Sequence, residues 1–340
     1  MSHARIVGLT LVVLLAALAG EAAATEVKIG DLGIVADAPF YLAVEKGYFK
    51  ERGIEVKLEK FTSAAQAMAP LSTGELHVVG GGVGAGLFNA FARNWPVRIV
   101  AARSRDVPGF SSDTLVVRSD LKGEVRSLAH LKGKKIAVNA PAAALAYMLG
   151  KMLETEGLTI KDVEIVYMPW PNMGPAFAQK AIDAGAMVEP FVTQYAERGY
   201  SVPLRRASEV LKSPPFEVSV VLFNKDWAEQ NAKVAGDFAV AYLKAARLFH
   251  EAMHGGAARA EVIDVLSRYT RVKDKRLYDR MQWGYVDPNG TVERESLKDQ
   301  QAWHARQGTV VKTVNVDEIV DERYIRYALD RLGIVPARRP

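Results

Sequence analysis

Apolar and polar residues change period repeatedly along the first half of this chain. The segment EVKIGDLG at 26–33 reads as a strand, and in the next run, APFYLAVEKGYFKERGIEV at 38–56, Phe40, Ala43, Val44, Gly47 and Tyr48 fall at helical spacing. Gly53 stands where a left-handed, helix-ending turn is wanted, and IEVKLEKF then alternates as a half-buried strand does. Helices over 39–51, 63–72 and 84–94 separate EVKIGDLG, IEVKLEKF, LHVVGG and VRIVAARS, which gives a β-α-β-α-β-α-β unit. SLAHLKGKKIAVN, AAALAYMLGKMLETEG, VEIVYMPW, GPAFAQKAIDA and AMVEPF repeat the alternation from 127 to 191, with Gly133, Gly157 and Pro169 as punctuation.

Between the units lies DTLVVRSD at 113–120, and after the second lies FEVSVVLFNKDW at 216–227. Both are short, extended and β-branched, as strands that cross between two lobes would be. Two crossings mean that the second lobe is inserted into the first. From 228 the pattern is helical and amphipathic. The expectation is an α/β chain with two lobes, each a sheet flanked by helices, with two crossover strands as hinge at Asp113–Val116 and Val218–Val221. Lobe I takes 25–115 and 219–340, and lobe II takes 116–218. About 315 residues beyond Ala24 exceed what one core usually organises, which agrees with two lobes.

Residues 1–24 carry His3 and Arg5, the apolar block IVGLTLVVLLAALAG, and Ala22 and Ala24 in the places of a small-residue cleavage site. That pattern predicts a cleavable export signal; a spanning helix needs ~20 apolar residues. The chain has no cysteine, so it forms no disulfide and carries no lipid-modified N-terminal cysteine. A free periplasmic protein, monomeric and without stable membrane insertion, is the expectation. The formal charge is +5, and its cations are scattered without a basic stripe interleaved with aromatics, which argues against nucleic acid as a partner.

Four phrases in order resemble one family. APFYLAVEKGYFKERGIEV, LSTGELHVVGGG, SLAHLKGKKIAV and AIDAGAMVEPF are similar to the solute-binding proteins of nitrate, sulfonate and taurine ABC importers, including the NMT1-like binders of thiamine precursors. The likeness covers roughly 26–227. It implies the two-lobed type II periplasmic binding protein fold, closure around a small solute, and delivery to an ABC permease in the inner membrane. It implies no catalysis, cofactor or metal. The implied solutes are sulfonates, taurine-like compounds, aromatic carboxylates, nitrate or pyrimidine-type thiamine precursors. Glu189 matches the family's acidic position before proline, where many sulfonate and taurine binders have Trp-Asp-Pro. His77 replaces an aspartate of the family phrase and is read as a structural histidine.

Helix N-termini present unpaired N–H groups and a positive dipole end, so loops leaving the strands' carboxyl ends are the candidate ligand contacts. These loops hold Asp37, Phe40, Ser63, Gln66, Gly81, Gly82, Asn139, Ala142, Trp170, Asn172 and Glu189. Ser63, Asn139 and Asn172 either cap their helices or donate to ligand. Phe40 and Trp170 either form an aromatic wall or pack in a core. Arg103, at a strand's carboxyl end, is either the charged anchor of an anion or one half of an ordinary ion pair. The aromatic residues and Glu189 favour a small organic anion over nitrate. Two other motifs compete. His250, Glu251 and His254 spell H-E-A-M-H, the pattern of a zinc-dependent hydrolase, yet Gly255 and Gly256 end the helix at once. Gly80–Ala85 fits a loose dinucleotide loop, but Arg103 stands where an acidic ribose partner belongs.

Overall fold

A computed structural model describes residues 24–336; the export signal expected at 1–24 lies, but for Ala24, outside the described residues. Ten strands are present: β1 (Thr25–Asp31), β2 (Ile54–Lys60), β3 (Val78–Gly82), β4 (Val97–Asp106), β5 (Asp113–Arg118), β6 (Lys135–Val138), β7 (Glu164–Tyr167), β8 (Ala184–Val188), β9 (Ser201–Arg206) and β10 (Phe216–Asn224). They form two five-stranded sheets, in the orders β2-β1-β3-β10-β4 and β7-β6-β8-β5-β9. In each sheet one strand runs against the parallel ones: β10 is antiparallel to β3 and β4, and β5 is antiparallel to β8 and β9.

The sheets share two connections. The chain leaves the first sheet after Asp106 and enters the second at Asp113, then returns between Arg206 and Phe216. The segments read as hinge, Asp113–Val116 and Val218–Val221, lie within β5 and β10, and the links are the residues before those strands, 107–112 and 207–215. All nine residues of β10 are buried, which fits a central strand covered on both faces.

Helices cover the sheets: α1 (Ala38–Glu45), α2 (Ala64–Thr73), α3 (Ala85–Ala92), α4 (Ala144–Glu154), α5 (Trp170–Ala178), α6 (Phe191–Glu197), α7 (Ala207–Val210), α8 (Lys225–Gln230), α9 (Ala232–Met253), α10 (Arg259–Tyr269), α11 (Lys275–Arg280), α12 (Arg294–Arg306), α13 (Val316–Ile319) and α14 (Arg323–Leu332). α1 stops at Glu45 rather than 51; a short 3-10 turn follows, and Gly53 closes it at φ 66°, in the left-handed region where glycine lacks the Cβ clash. On one face of the first sheet α1 and α9 bury Phe40, Phe238 and Tyr242. On the other, α2 and α3 bury Met68, Leu71 and Phe88 against Val79 and Leu222. The second lobe closes over Ile136, Met148, Leu149, Phe177 and Ala186.

α12 spans both lobes. Its Leu297 packs with the first lobe, while Trp303 packs with the second and donates Nε1–H to Glu154 Oε1 at 2.8 Å. Tyr147 of α4 donates its hydroxyl to Asp299 at 2.5 Å. Gly150 makes this docking possible, because a Cβ there would stand 2.1 Å from the Trp303 ring. No helix among the described residues is long and apolar enough to cross a membrane.

Candidate functional site

A cavity of about 110 Å³ lies between the two lobes, at the carboxyl ends of the strands. Three helices begin at its edge, with Ser63, Gly84 and Ala143 as N-caps, and none of these caps bonds its own helix through a side chain. Ala64, Gly86, Ala144 and Leu145, all within the first two positions of those helices, line the cavity. N–H groups at such positions have no carbonyl within the helix to bond, so they are available to an acceptor placed among them. Ser63 is buried, yet its hydroxyl has no hydrogen-bond partner among the described residues. Met68, Leu87, Leu145 and Trp170 make most of the remaining wall apolar.

Arg103 is the cation of the cavity. Only 1% of it is exposed, and its guanidinium is divided: Nη1 donates to Asp37 Oδ1, Nε donates to Ser219 Oγ at 3.2 Å, and Nη2 has no acceptor among the described residues. Asp37 is fully buried behind it and also accepts from the Leu32 and Ile34 N–H groups at 3.0 and 3.1 Å. Burial pushes the Asp37 carboxyl above its usual range, and the Arg103 charge pulls it back. Arg103 is thus neither a surface ion pair nor a lone charge. Asp37 fixes its orientation and leaves one edge toward the cavity.

The floor comes from the strands next to the links. Asp113, at the start of β5, and Val218 and Ser219, in β10, line it. Asp113 Oδ2 accepts from Ser112 Oγ at 2.9 Å, and Asp106 lies against the same carboxyl. Burial raises both acids, and two adjacent carboxyls in one dry site favour sharing a proton. Across the floor the lobes touch: Ala85 N–H of the first donates to Ala142 O of the second at 3.0 Å. A Cβ on Gly84 would come within 2.7 Å of that oxygen, so glycine is what permits the contact.

Of the twelve residues singled out in the sequence, the structure brings Ser63, Gly82, Arg103, Asn139, Ala142 and Trp170 to the cavity wall. Asp37 sits one shell behind, as the partner of Arg103. Phe40 is in the core, in ring contact with Phe238 and Tyr242. Gln66 holds the loop before its own helix, accepting from Thr62 N–H at 3.2 Å and Thr62 Oγ1 at 2.7 Å. Gly81 packs against Ala64 and Leu222, and Asn172 is exposed on α5. Glu189 belongs to a separate pocket beside Thr193, Arg206 and Gln282. It is buried, accepts from the Thr193 N–H and Oγ1 at 3.0 and 2.7 Å, and burial pushes it up to about 7. His77 Nδ1 accepts from Lys28 N–H at 3.1 Å and its ring stacks on Trp227, the structural role read from the sequence.

Asp113, Met68, Leu87, Val218 and Ser219 were not legible as site residues, since nothing in a strand or helix pattern marks which interior positions face a gap between lobes. The H-E-A-M-H motif forms no metal centre here. His250 and His254 turn Nδ1 to the carbonyls of Val286 and His250, at 2.9 and 2.8 Å, and no group of three or more histidines and carboxylates among the described residues is placed to hold a metal ion. Gly80–Gly82 are part of β3 and not a loop.

Two sheets with inserted lobes and a cavity at their facing edges define the architecture of two-lobed periplasmic solute-binding proteins. The fold is shared with the alkanesulfonate-binding protein SsuA from Xanthomonas axonopodis pv. citri, solved with bound MOPS (TM-score 0.71, 21% identity, covering 87% of this chain and 98% of that one). It is likewise shared with the periplasmic nitrate-binding protein NrtA from Synechocystis PCC 6803 (TM-score 0.75, 17% identity, 91% and 89%). The desulfurization enzyme DSZB has the same fold (TM-score 0.65, 14% identity, 91% and 99%). The chain belongs to the NMT1-like family, whose model matches residues 20–267. A protein of Brucella abortus (strain 2308), named as a binding protein, is 32% identical over 152 residues, 44% of each chain, so the match spans less than half of that relative's length.

Proposed function

We propose that this protein is the periplasmic solute-binding component of an ABC importer, that it carries out no catalysis, and that its solute is a small organic anion. The observation that carries the reading is the free Nη2 edge of Arg103 inside a cavity at which three helices begin without a side-chain cap. A dry guanidinium edge and convergent N–H groups stabilise an anionic oxygen cluster, and the apolar wall of Met68, Leu87, Leu145 and Trp170 suits a carbon body. At ~10–15 Å³ for each water-sized site, the cavity suits a solute of roughly ten non-hydrogen atoms. The cavity's polar side chains are Ser63, Arg103, Asp113, Asn139 and Ser219; no histidine lines it, and the chain has no cysteine. This supports binding over turnover.

The lobes of the proposal are the two sheets with their helices, and the links at 107–112 and 207–215 are where the chain bends on closure. Only a ligand that touches both lobes favours the closed state. The names of SsuA and NrtA, which bind alkanesulfonate and nitrate, support a small anion, and the family match with the signal-like N-terminus supports the periplasm. A thermal-shift screen over sulfonates, aliphatic and aromatic carboxylates, nitrate and pyrimidines tests the reading, because a ligand that binds only the folded chain raises the melting temperature. Organic anions are expected to stabilise; stabilisation by pyrimidines or nitrate alone would overturn the choice of solute.

A further inference from the structure

Both crossings between the lobes meet at one small cluster. β4 ends at Asp106, whose partner on β10 is Phe216, the first residue after the second link, and β5 begins at Asp113, paired with Val188 of β8. The first link is drawn into a tight turn: the N–H groups of Val107 and Phe110 each donate to the other's carbonyl at 2.9 Å, with Gly109 at φ 84° between them. Ser111 Oγ of this link accepts from Ser208 N–H of the second link and donates to Asp113 O, both at 3.3 Å. Asp106 and Asp113 therefore bracket the first link where the second touches it, and both are fully buried.

Ser112 serves one oxygen of each acid. Its N–H donates to Asp106 Oδ1 and its hydroxyl to Asp113 Oδ2, both at 2.9 Å. The other two oxygens, Asp106 Oδ2 and Asp113 Oδ1, are screened from solvent with no donor among the described residues, and the two carboxyls lie against each other. Two carboxylates in such a place repel without water to screen them, whereas one proton between them gives each leftover oxygen a partner. Few other charges reach the pair. Arg103 draws Asp113 toward ionisation but is itself held by Asp37. Glu217 of β10 is bonded by Arg105, Glu189 after β8 by Thr193, and His254 meets the ring of Phe110.

We propose that Asp106 and Asp113 share one proton through those two oxygens, and that this proton is a clasp tying the ends of the first link. While it is held, the turn is fixed at the junction of the lobes. When it leaves to water at alkaline pH, two like charges face each other in a dry site and the link loosens. Movement between the lobes then depends on pH, whichever solute the cavity takes, so the inference goes beyond the binding reading and does not rest on it.

Asp106→Asn imitates the protonated partner at every pH, because an amide oxygen can accept from Ser112 N–H while the amide N–H donates to Asp113. Two measurements on the full chain without solute test the clasp. In hydrogen exchange corrected for intrinsic rates, the Phe110 and Ser112 amides of the wild type are expected to lose about tenfold or more of their protection between about pH 6 and pH 9, and those of Asp106→Asn no more than about twofold. In infrared spectra at neutral pH, the wild type should show a protonated-carboxyl band that Asp106→Asn lacks, while the bands of Asp37 and Glu189 cancel in the difference. Asp113→Asn is the second variant and should behave alike. Equal loss of protection in the wild type and both variants, or no carboxyl band in the difference spectrum, overturns the clasp. Failure of both variants to fold overturns it as well, since an amide at either position restores every bond of the shared-proton pair.

Discussion

The central residue is Arg103, because one guanidinium meets three different needs. Asp37 holds it, Ser219 orients it, and the remaining edge faces the cavity. Arg103→Ala therefore does more than remove a ligand contact. It strands the Asp37 carboxylate in a dry site, a loss of about 3–5 kcal/mol where a buried pair is broken. Chemical denaturation should show that loss. In Arg103→Ala with Asp37→Asn most of the stability should return while affinity for anions stays at least tenfold down. Recovery of affinity in the double variant would show that Arg103 acts only as a structural partner. Lysine cannot substitute, since a single ammonium cannot serve Asp37, Ser219 and a ligand in the fixed fork that arginine presents. Much of this was hidden in the sequence. The end of the run VRIVAAR marked Arg103 for the cleft, although β4 continues to Asp106, and the pairing with Asp37, 66 positions away, is a product of packing alone.

At the scale of elements, the N-termini of α2, α3 and α4 decide what the cavity can hold. Gly84 matters as the point where α3 of one lobe meets the loop before α4 of the other. A methyl group there collides with Ala142 O only when the lobes are together, so Gly84→Ala should weaken solute binding tenfold or more while each lobe keeps its fold. Circular dichroism should be unchanged, and small-angle scattering should show a larger radius of gyration for the variant in the presence of solute. An unchanged affinity would mean that the lobes need not approach as closely as they do here. Trp303 on Gly150 makes the corresponding contact outside the cavity, where Gly150→Ala would displace an indole ring rather than a ligand. Most elements were readable from period and turn residues. Helix α1 ended early, the final amphipathic stretch divided into α13 and α14 near Val320, and β9 gave no strand signal because Pro203 interrupts its few branched apolar residues; as an edge strand it tolerates the proline.

Taken as a whole, the molecule is two lobes that bury several carboxyls away from water. Asp37, Asp106, Asp113 and Glu189 are all raised above their ordinary values, chiefly by burial. A carboxyl whose value is higher in the folded chain takes up a proton on folding, so its contribution makes stability fall as pH rises from the unfolded value toward the folded one. For Glu189 that window runs from about 4.5 to about 7. Glu189→Gln, which cannot ionise, should therefore flatten the pH dependence of unfolding between pH 4.5 and 7, and the variant should gain on the wild type as pH increases. Parallel curves for the two proteins would show that Glu189 is not held protonated by its surroundings. Glu189 shares its pocket with Gln282, in the segment after α11, so the same titration acts where the loop before α6 meets the C-terminal part of the chain.

Sequence alone determined the alternation of strands and helices, the double crossing that inserts one lobe in the other, and the loops from which a site could be built. These follow from local period and turn chemistry, which act over a few residues and are written in consecutive letters. It also singled out Ser63, Gly82, Arg103, Asn139, Ala142 and Trp170, which the fold gathers on one cavity wall. Only the tertiary structure decided that Phe40 fills a core, that Glu189 lies in a separate pocket, that Asp113 joins the floor, and which nitrogen of Arg103 remains free. Those outcomes depend on which groups meet across the fold and which are left without a partner when water is excluded, and no local pattern records that.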